Sequence, residues 1–241
     1  MDVARRAREA NVERYAGGDE IEGYLQDPYH AVRLSLAMSM LGRDWQRLNP
    51  GKSSPVVVDI GSAGGLACAQ LAKQGMRPIA ADADLEALRA ARQHALGVVQ
   101  LDATEALPFR SGSLDGILAG EIIEHLYDPD RFLSECCRVL RPSGVLVVTT
   151  PNLAAIQDRL AFLLGQSPRH VDCHHEYRRL HIRPFTKGSL SKAICLAGMV
   201  PLSTTANYVV WRTAGRRLSS RTLARVLPGL GAVLVISARP A

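Results

Sequence analysis

Val56-Val57-Val58-Asp59-Ile60-Gly61-Ser62-Ala63-Gly64-Gly65 is the stretch on which the reading of this chain turns. A short run of β-branched apolar residues, the pattern of a strand buried on both faces, leads into a turn of very small residues that opens a helix. Such a turn lets a ligand touch bare backbone. It does not end in Gly-Lys-Ser/Thr, and the nearby Lys52-Ser53 precedes the strand, so the triphosphate-loop pattern fails. Gly61-Ser62-Ala63-Gly64-Gly65 does not fit Gly-x-Gly-x-x-Gly either, which removes the dinucleotide fingerprint. The carboxylate of Asp59 beside the turn would repel a pyrophosphate and suits a cationic ligand head. Taken alone, the stretch also reads as a plain tight strand-to-helix connection.

The positions that follow sharpen it. Pro78-Ile79-Ala80-Ala81 ends in Asp82, 23 residues after Asp59. In doubly wound sheets an acid at that point reaches the hydroxyls of a bound ribose. A third apolar run, 97–101, ends in Asp102. A fourth, 114–119, is followed by Gly120-Glu121-Ile122-Ile123-Glu124-His125-Leu126-Tyr127-Asp128-Pro129, and after a helix over 130–140 a fifth run, 145–150, closes with Pro151-Asn152. Asp84 reads as the N-cap of the helix beginning at Leu85, and Asp115, inside a strand, as a structural carboxylate.

Asp59-x-Gly61-x-Ala63-x-Gly65 resembles motif I of the class I S-adenosylmethionine-dependent methyltransferases, and the Glu-x-x-Glu-His-Leu run at 121–126 resembles the subgroup sometimes called type 11. The resemblance is close over residues 54–152 and loose elsewhere. It implies an α/β fold with a seven-stranded, doubly wound (Rossmann-like) sheet, an N-terminal helical cap and a substrate-side insertion. It also implies S-adenosylmethionine as cofactor, with Asp59, Gly61, Ala63 and Gly65 at the methionine part and Asp82 at the ribose. Asp102 and the backbone of Ala103 would take the adenine, and Glu121 would lie near the methyl group.

With 241 residues, 47% of them hydrophobic, the chain can bury one sizeable core, and no composition break marks a second one. The expected organisation is a single methyltransferase domain: a helical cap over 1–50, a cofactor-binding core over 54–152, and an insertion with the final strands over 153–241. Five cysteines without a Cys-x-x-Cys pair read as reduced thiols of a cytoplasmic protein. No signal-peptide pattern and no run of about 18 apolar residues is present. The net charge of +6 raises nucleic acid or an anionic surface as partners. With aromatics at 5% and no Asn/Asp-Pro-Pro-aromatic run after the fourth strand, nucleic acid is disfavoured. Arg169, Arg178, Arg179 and Arg183 form one basic group that could flank a substrate entrance or line a solvated loop. Arg212, Arg216, Arg217, Arg221 and Arg225 alternate with Leu218, Leu223, Val226, Leu227 and Leu230, an amphipathic stripe suited to a peripheral membrane contact, a lipid-like acceptor or packing on its own domain.

Periodicity predicts helices over 2–16 and 28–48, and Tyr15, Tyr24 and Tyr29 are candidates for covering the methyl group. A helix over 154–164 leads to the polar stretch 165–184, too long for an ordinary connector and therefore a functional insertion, expected to act with the N-terminal helices as a lid. A helix over 187–197, a strand near 204–211 and a final strand over 231–237 complete the chain.

A sulfonium methyl group is electrophilic by itself, so the protein's work is alignment of a nucleophile, with a base needed only for a proton of high pKa. His125, on the rim after the fourth strand, and His181 are the candidate catalytic residues, with His174 and His175 behind them. The expected acceptor is a small or medium-sized metabolite (a sugar, polyketide or modified peptide), free or lipid- or peptide-linked, methylated on oxygen ahead of nitrogen. No metal is expected. Yet Glu121, Glu124, His125 and His181 resemble the metal-binding set of the small-RNA 3′-terminal 2′-O-methyltransferases, so a metal-dependent RNA methyltransferase is the first alternative. A zinc site built from His170, Cys173, His174 and His175 lacks tight ligand spacing. A regulatory domain that binds the cofactor without turnover is the second alternative.

Overall fold

The computed structural model describes residues 27–168, 171, 181–213 and 216–241. The helix expected over 2–16, Tyr15, Tyr24, Arg169, His170, Cys173, His174, His175, Arg178 and Arg179 lie outside the described residues.

Seven strands form one sheet: β1 (Val56–Ile60), β2 (Arg77–Asp82), β3 (Gly97–Gln100), β4 (Leu114–Gly120), β5 (Leu140–Pro151), β6 (Met199–Ala206) and β9 (Val233–Pro240), in the order β3-β2-β1-β4-β5-β9-β6. β7 (Val209–Thr213) and β8 (Arg216–Ser220) pair as a separate hairpin. The first five strands of the sheet are parallel, and β9 runs antiparallel to both β5 and β6. From β1 the chain winds outward to β2 and β3, then returns to place β4 on the other side of β1. This reversal opens a crevice at the carboxyl ends of β1 and β4, where ligands collect in such sheets.

Alternation along the strands sends side chains to two cores. Val57, Leu118, Val145, Val147 and Val235 point to one face, which is covered by α1 (Pro28–Leu48) through Leu34, Ala37, Met38, Leu41 and Trp45. These helix residues recur at three- and four-residue spacing, so one stripe is apolar. Pro28 starts the helix, and the Asp27 carboxylate accepts the Tyr29 amide at 2.8 Å. Val58, Ile60, Ile117, Ala119, Leu146 and Val148 point to the other face. There they meet Phe132, Leu133, Cys136 and Val139 of α4 (Pro129–Val139) and Leu190 and Ile194 of α6 (Lys187–Leu196). Helices α2 (Leu66–Lys73) and α3 (Leu85–Ala91) follow β1 and β2, and α5 (Ile156–Leu163) follows β5.

Three expectations shift in detail. α1 has the predicted bounds but lies along a sheet face, and its first turns reach the carboxyl-end rim. The stretch 204–211 is not one strand: β6 stops at Ala206, and Asn207 Oδ1 turns the chain by accepting the amides of Tyr208 at 2.7 Å and Val233 at 3.0 Å. The last strand slots between β5 and β6, which leaves β6 at the edge. The arginine-rich stripe divides in the same way, its first part on the β7–β8 hairpin and only Arg221–Val226 helical, as α7. None of the helices among the described residues is long and apolar enough to cross a membrane.

Candidate active site

The turn after β1 is built from positive backbone angles. Gly61 has φ 76°, Ala63 φ 45° and Gly65 φ 81°. A side chain at Gly65 would put Cβ 2.7 Å from the Ala91 Cα, so glycine is what lets α3 lie against the turn. The Gly61 and Ser62 amides donate to the Ala81 carbonyl at 2.8 and 3.1 Å. Asp82 closes the frame: its Oδ2 accepts the Ala63 amide at 2.8 Å and its Oδ1 the Asp84 amide at 3.0 Å. Asp82 therefore shapes the turn, and each oxygen keeps a further lone pair for a ligand.

Asp59 is 4% exposed beneath this turn, with the Cys68 thiol donating to Oδ2 at 3.7 Å. Burial pushes its carboxyl up to about 7; the thiol and Arg33 oppose the shift and neighbouring Asp82 adds to it. Asp102 Oδ1 accepts both the amide and the hydroxyl of Thr104, at 2.9 and 2.7 Å, and Ala103 beside it is buried. The 102–109 segment is clamped to α4. The Leu107 amide donates to Glu135 at 2.8 Å, and Arg131 and Arg138 donate to the carbonyls of Thr104 and Leu107. As expected from sequence, Asp84 caps α3 through the Glu86 amide at 2.9 Å, and Asp115 is structural, accepting the Val56 amide at 3.0 Å.

On the β4 side, Glu121 sits just past the strand in the left-handed region, φ 57°, with its amide on the Thr149 carbonyl at 3.0 Å. Thr149 Oγ1 bridges two charges: it donates to Glu121 Oε1 at 3.1 Å and accepts from Arg33 Nη1 at 2.8 Å. Arg33 is 5% exposed, and its Nη1 lies 3.9 Å from Glu121 Oε1. Burial raises the Glu121 carboxyl, with Arg33 and Thr149 opposing. The 3₁₀ turn Ile123–His125 then carries Glu124 inward, 1% exposed, with Thr150 Oγ1 donating to Oε2 at 2.9 Å. Its Oε1 is buried with no hydrogen-bond partner among the described residues. Burial, reinforced by Glu121, holds the Glu124 carboxyl well above the usual range.

The same turn brings His125 against His181, ring centroids 4.9 Å apart and nearly perpendicular. Donor atoms of Glu124, His125 and His181 all lie within 4.8 Å of one another. Arg183 fixes this meeting: its amide donates to the Glu124 carbonyl at 3.0 Å, its Nε to the Tyr127 carbonyl at 3.2 Å, and its guanidinium lies 5.1 Å from the Tyr127 ring centroid. Tyr29 stacks on Tyr208, centroids 6.4 Å apart.

Comparison with known proteins decides the family. A methyltransferase-domain family profile matches residues 58–148, the segment that holds the turn, Asp82, Asp102, Glu121 and His125. The ubiquinone biosynthesis O-methyltransferase of Sinorhizobium fredii is 33% identical over 185 residues, covering 71% of this chain and 71% of that protein. The chain belongs to the class I S-adenosylmethionine-dependent methyltransferases. Another relative, the ubiquinone biosynthesis O-methyltransferase of a Chelativorans species, is 33% identical over 169 residues. That match covers 66% of this chain, which spans 64% of the relative's length, a little less than two thirds. In fold, the chain is similar to the 1,6-didemethyltoxoflavin-N1-methyltransferase of Burkholderia thailandensis, solved with S-adenosylhomocysteine. The TM-score is 0.62 at 18% identity, covering all of this chain and 92% of that one.

The residues present fit the cofactor of a class I methyltransferase. The turn is a backbone cradle, a buried carboxyl lies beneath it, and an acid stands at the end of β2, the position at which such sheets meet a ribose. Sequence reasoning missed Arg33, Thr149 and Thr150. Arg33 had a signal: an arginine four residues before Ala37, on a stripe whose other buried members are apolar except Asp44. The threonines had none beyond their place at the strand end.

Proposed function

We propose that this methyltransferase transfers the methyl group of S-adenosylmethionine to an oxygen of a small or medium-sized acceptor such as a sugar, polyketide or modified peptide. The observation that carries the reading is the pair of imidazoles, His125 and His181, that meet edge to face just past β4. An alcohol or phenol must lose a proton as the new bond forms, and an imidazole takes one near neutral pH. A free amine presents its lone pair without such help. The names of the relatives, both O-methyltransferases, point the same way.

The cofactor supplies an electrophilic methyl group, and the protein supplies alignment. Asp59 and the Gly61–Gly65 amides hold the methionine part, and Arg33 faces its carboxylate. The free lone pairs of Asp82 take the ribose hydroxyls, and Asp102 with the Ala103 amide takes the base. Glu121, fixed by Thr149, borders the methyl position. His125 receives the acceptor's proton, and His181 holds the imidazole and the acceptor in register. The test is transfer of labelled methyl to a panel of hydroxylated and amino acceptors. O-methyl products that are lost with His125→Ala support the reading, and N-methyl products unaffected by either histidine substitution contradict it.

A second reading has its own observation. Glu124, His125 and His181 bring three donors within 4.8 Å, and Glu124 Oε1 has no hydrogen-bond partner among the described residues. Those residues would hold a divalent cation, which would lower the pKa of an acceptor hydroxyl, as RNA 2′-O-methyl transfer needs. EDTA separates the two: intact turnover and no stoichiometric ion support imidazole chemistry, and loss restored by magnesium or manganese supports the cation.

A further inference from the structure

The chain is electrically lopsided. Residues 177–241 contain eleven lysines and arginines and neither aspartate nor glutamate, whereas residues 1–176 hold 18 basic and all 23 acidic residues. Within the acid-free part, Arg216 of β8 and Arg221 and Arg225 of α7 are exposed, and so are the apolar side chains among them: Leu218, Leu223, Val226 and Leu227 at 40 to 70%. Next to this region stands α5. Its first turn is anchored, with Ile156 packed against the cluster of Ala206, Val209 and Ala224, and Arg159 donating to the Gly229 carbonyl at 3.3 Å. Its far end leaves the body, exposing Phe162, Leu163 and Leu164 at 71, 80 and 76%.

Each half of this arrangement is costly in water alone. A helix end that is apolar all round gains nothing from solvent, and a cluster of like charges repels itself. Together they match a bilayer interface, where aliphatic and phenylalanine side chains enter the acyl boundary and guanidinium groups rest among anionic headgroups. Nucleic acid matches less well, because the side chains between the arginines are aliphatic and offer no stacking platform. We infer that the end of α5 and the β8–α7 segment form one docking surface for a membrane bearing anionic lipid. α5 begins at the carboxyl end of β5, so this surface borders the same rim as the cofactor crevice and would bring an acceptor lying in the bilayer close to it. The inference does not depend on which acceptor atom is methylated.

Vesicle co-sedimentation tests it, with phosphatidylcholine alone and with phosphatidylglycerol added. The whole chain should partition onto the anionic vesicles and only weakly onto the neutral ones. The partition should weaken in roughly 1 M salt, where the screening length is about 3 Å. Arg221→Ala/Arg225→Ala should lower partition by about 25-fold, roughly fivefold per charge. Phe162→Asp/Leu163→Asp, at positions outside the core, should lower it at least about tenfold with unchanged cofactor affinity and melting temperature. Absence of binding to anionic vesicles, or wild-type partition by both variants, overturns the inference. So does preferential capture of single-stranded RNA that depends on the arginines and not on Phe162 and Leu163.

Discussion

Asp59 should make cofactor binding release a proton. Its carboxyl is 4% exposed, and burial raises it from 3.8 to about 7. A gap of about three units corresponds to about 4 kcal/mol that the free protein spends to ionise this group, as an order of magnitude. A ligand carrying an ammonium and a sulfonium over the turn favours the ionised form and recovers part or all of that gap. Affinity for S-adenosylhomocysteine, whose ammonium alone supplies the charge, should be flat above roughly pH 8 and fall about tenfold per unit below 7. If the bound carboxyl returns to near 4, the loss between about pH 8 and about pH 5.5 is roughly 30-fold. Calorimetric titration near pH 6 in two buffers of different ionisation enthalpy should count about 0.9 proton released per ligand. The free protein shows the converse sign: because the folded pKa lies above the unfolded one, the contribution of Asp59 is fully present below about 3.8 and is lost as pH rises through about 7. Burial shifts Glu121 and Glu124 the same way, so Asp59→Asn isolates the share of Asp59. That variant should flatten the affinity profile and melt higher than wild type at alkaline pH. A wild-type affinity constant from pH 5.5 to 8, or an unchanged slope in Asp59→Asn, would refute the assignment.

Asp82→Ala removes the acceptor of the Ala63 and Asp84 amides and the group proposed to meet the ribose, so calorimetry should find cofactor affinity lower by about 1 to 3 kcal/mol. Asp102→Ala should cost less, since the Ala103 amide remains. Gly65→Ala places Cβ 2.7 Å from the Ala91 backbone at φ 81°, and denaturant titration should show about 1 to 3 kcal/mol of destabilisation; an unmoved midpoint would mean that α3 does not press on the turn. His125→Ala and His181→Ala should each lower turnover far more than cofactor affinity, measured as separate effects on kcat and on calorimetric binding. Wild-type turnover by both variants would leave alignment alone as the source of the rate.

The turn after β1 and the acids at the strand ends were legible because their signals are local. A β-branched run, a turn of small residues and an acid at a strand end each declare themselves within ten residues, and the 28–48 helix is written in its apolar stripe. The place of β9 between β5 and β6 is a non-local pairing that no window of sequence contains. The strand expected over 204–211 failed because one side chain, Asn207, reverses the chain by accepting two amides, one of them from Val233. The cluster after β4 was legible only as a set of residue types. The spacing of Glu121, Glu124 and His125 does not say which faces the rim. The 3₁₀ turn decides that, carrying Glu124 under Thr150 and His125 toward His181. Arg183, which ties the two segments together, looked like one member of a basic cluster.

A co-crystal structure with S-adenosylhomocysteine is the most direct test of the account. The methionine carboxylate should face Arg33, the ribose hydroxyls should lie on Asp82 and the adenine against Asp102 and Ala103. The sulfur should then point toward the space bordered by Glu121, His125 and His181. A ligand bound away from the Gly61–Gly65 turn, or one whose sulfur points away from that space, would contradict it.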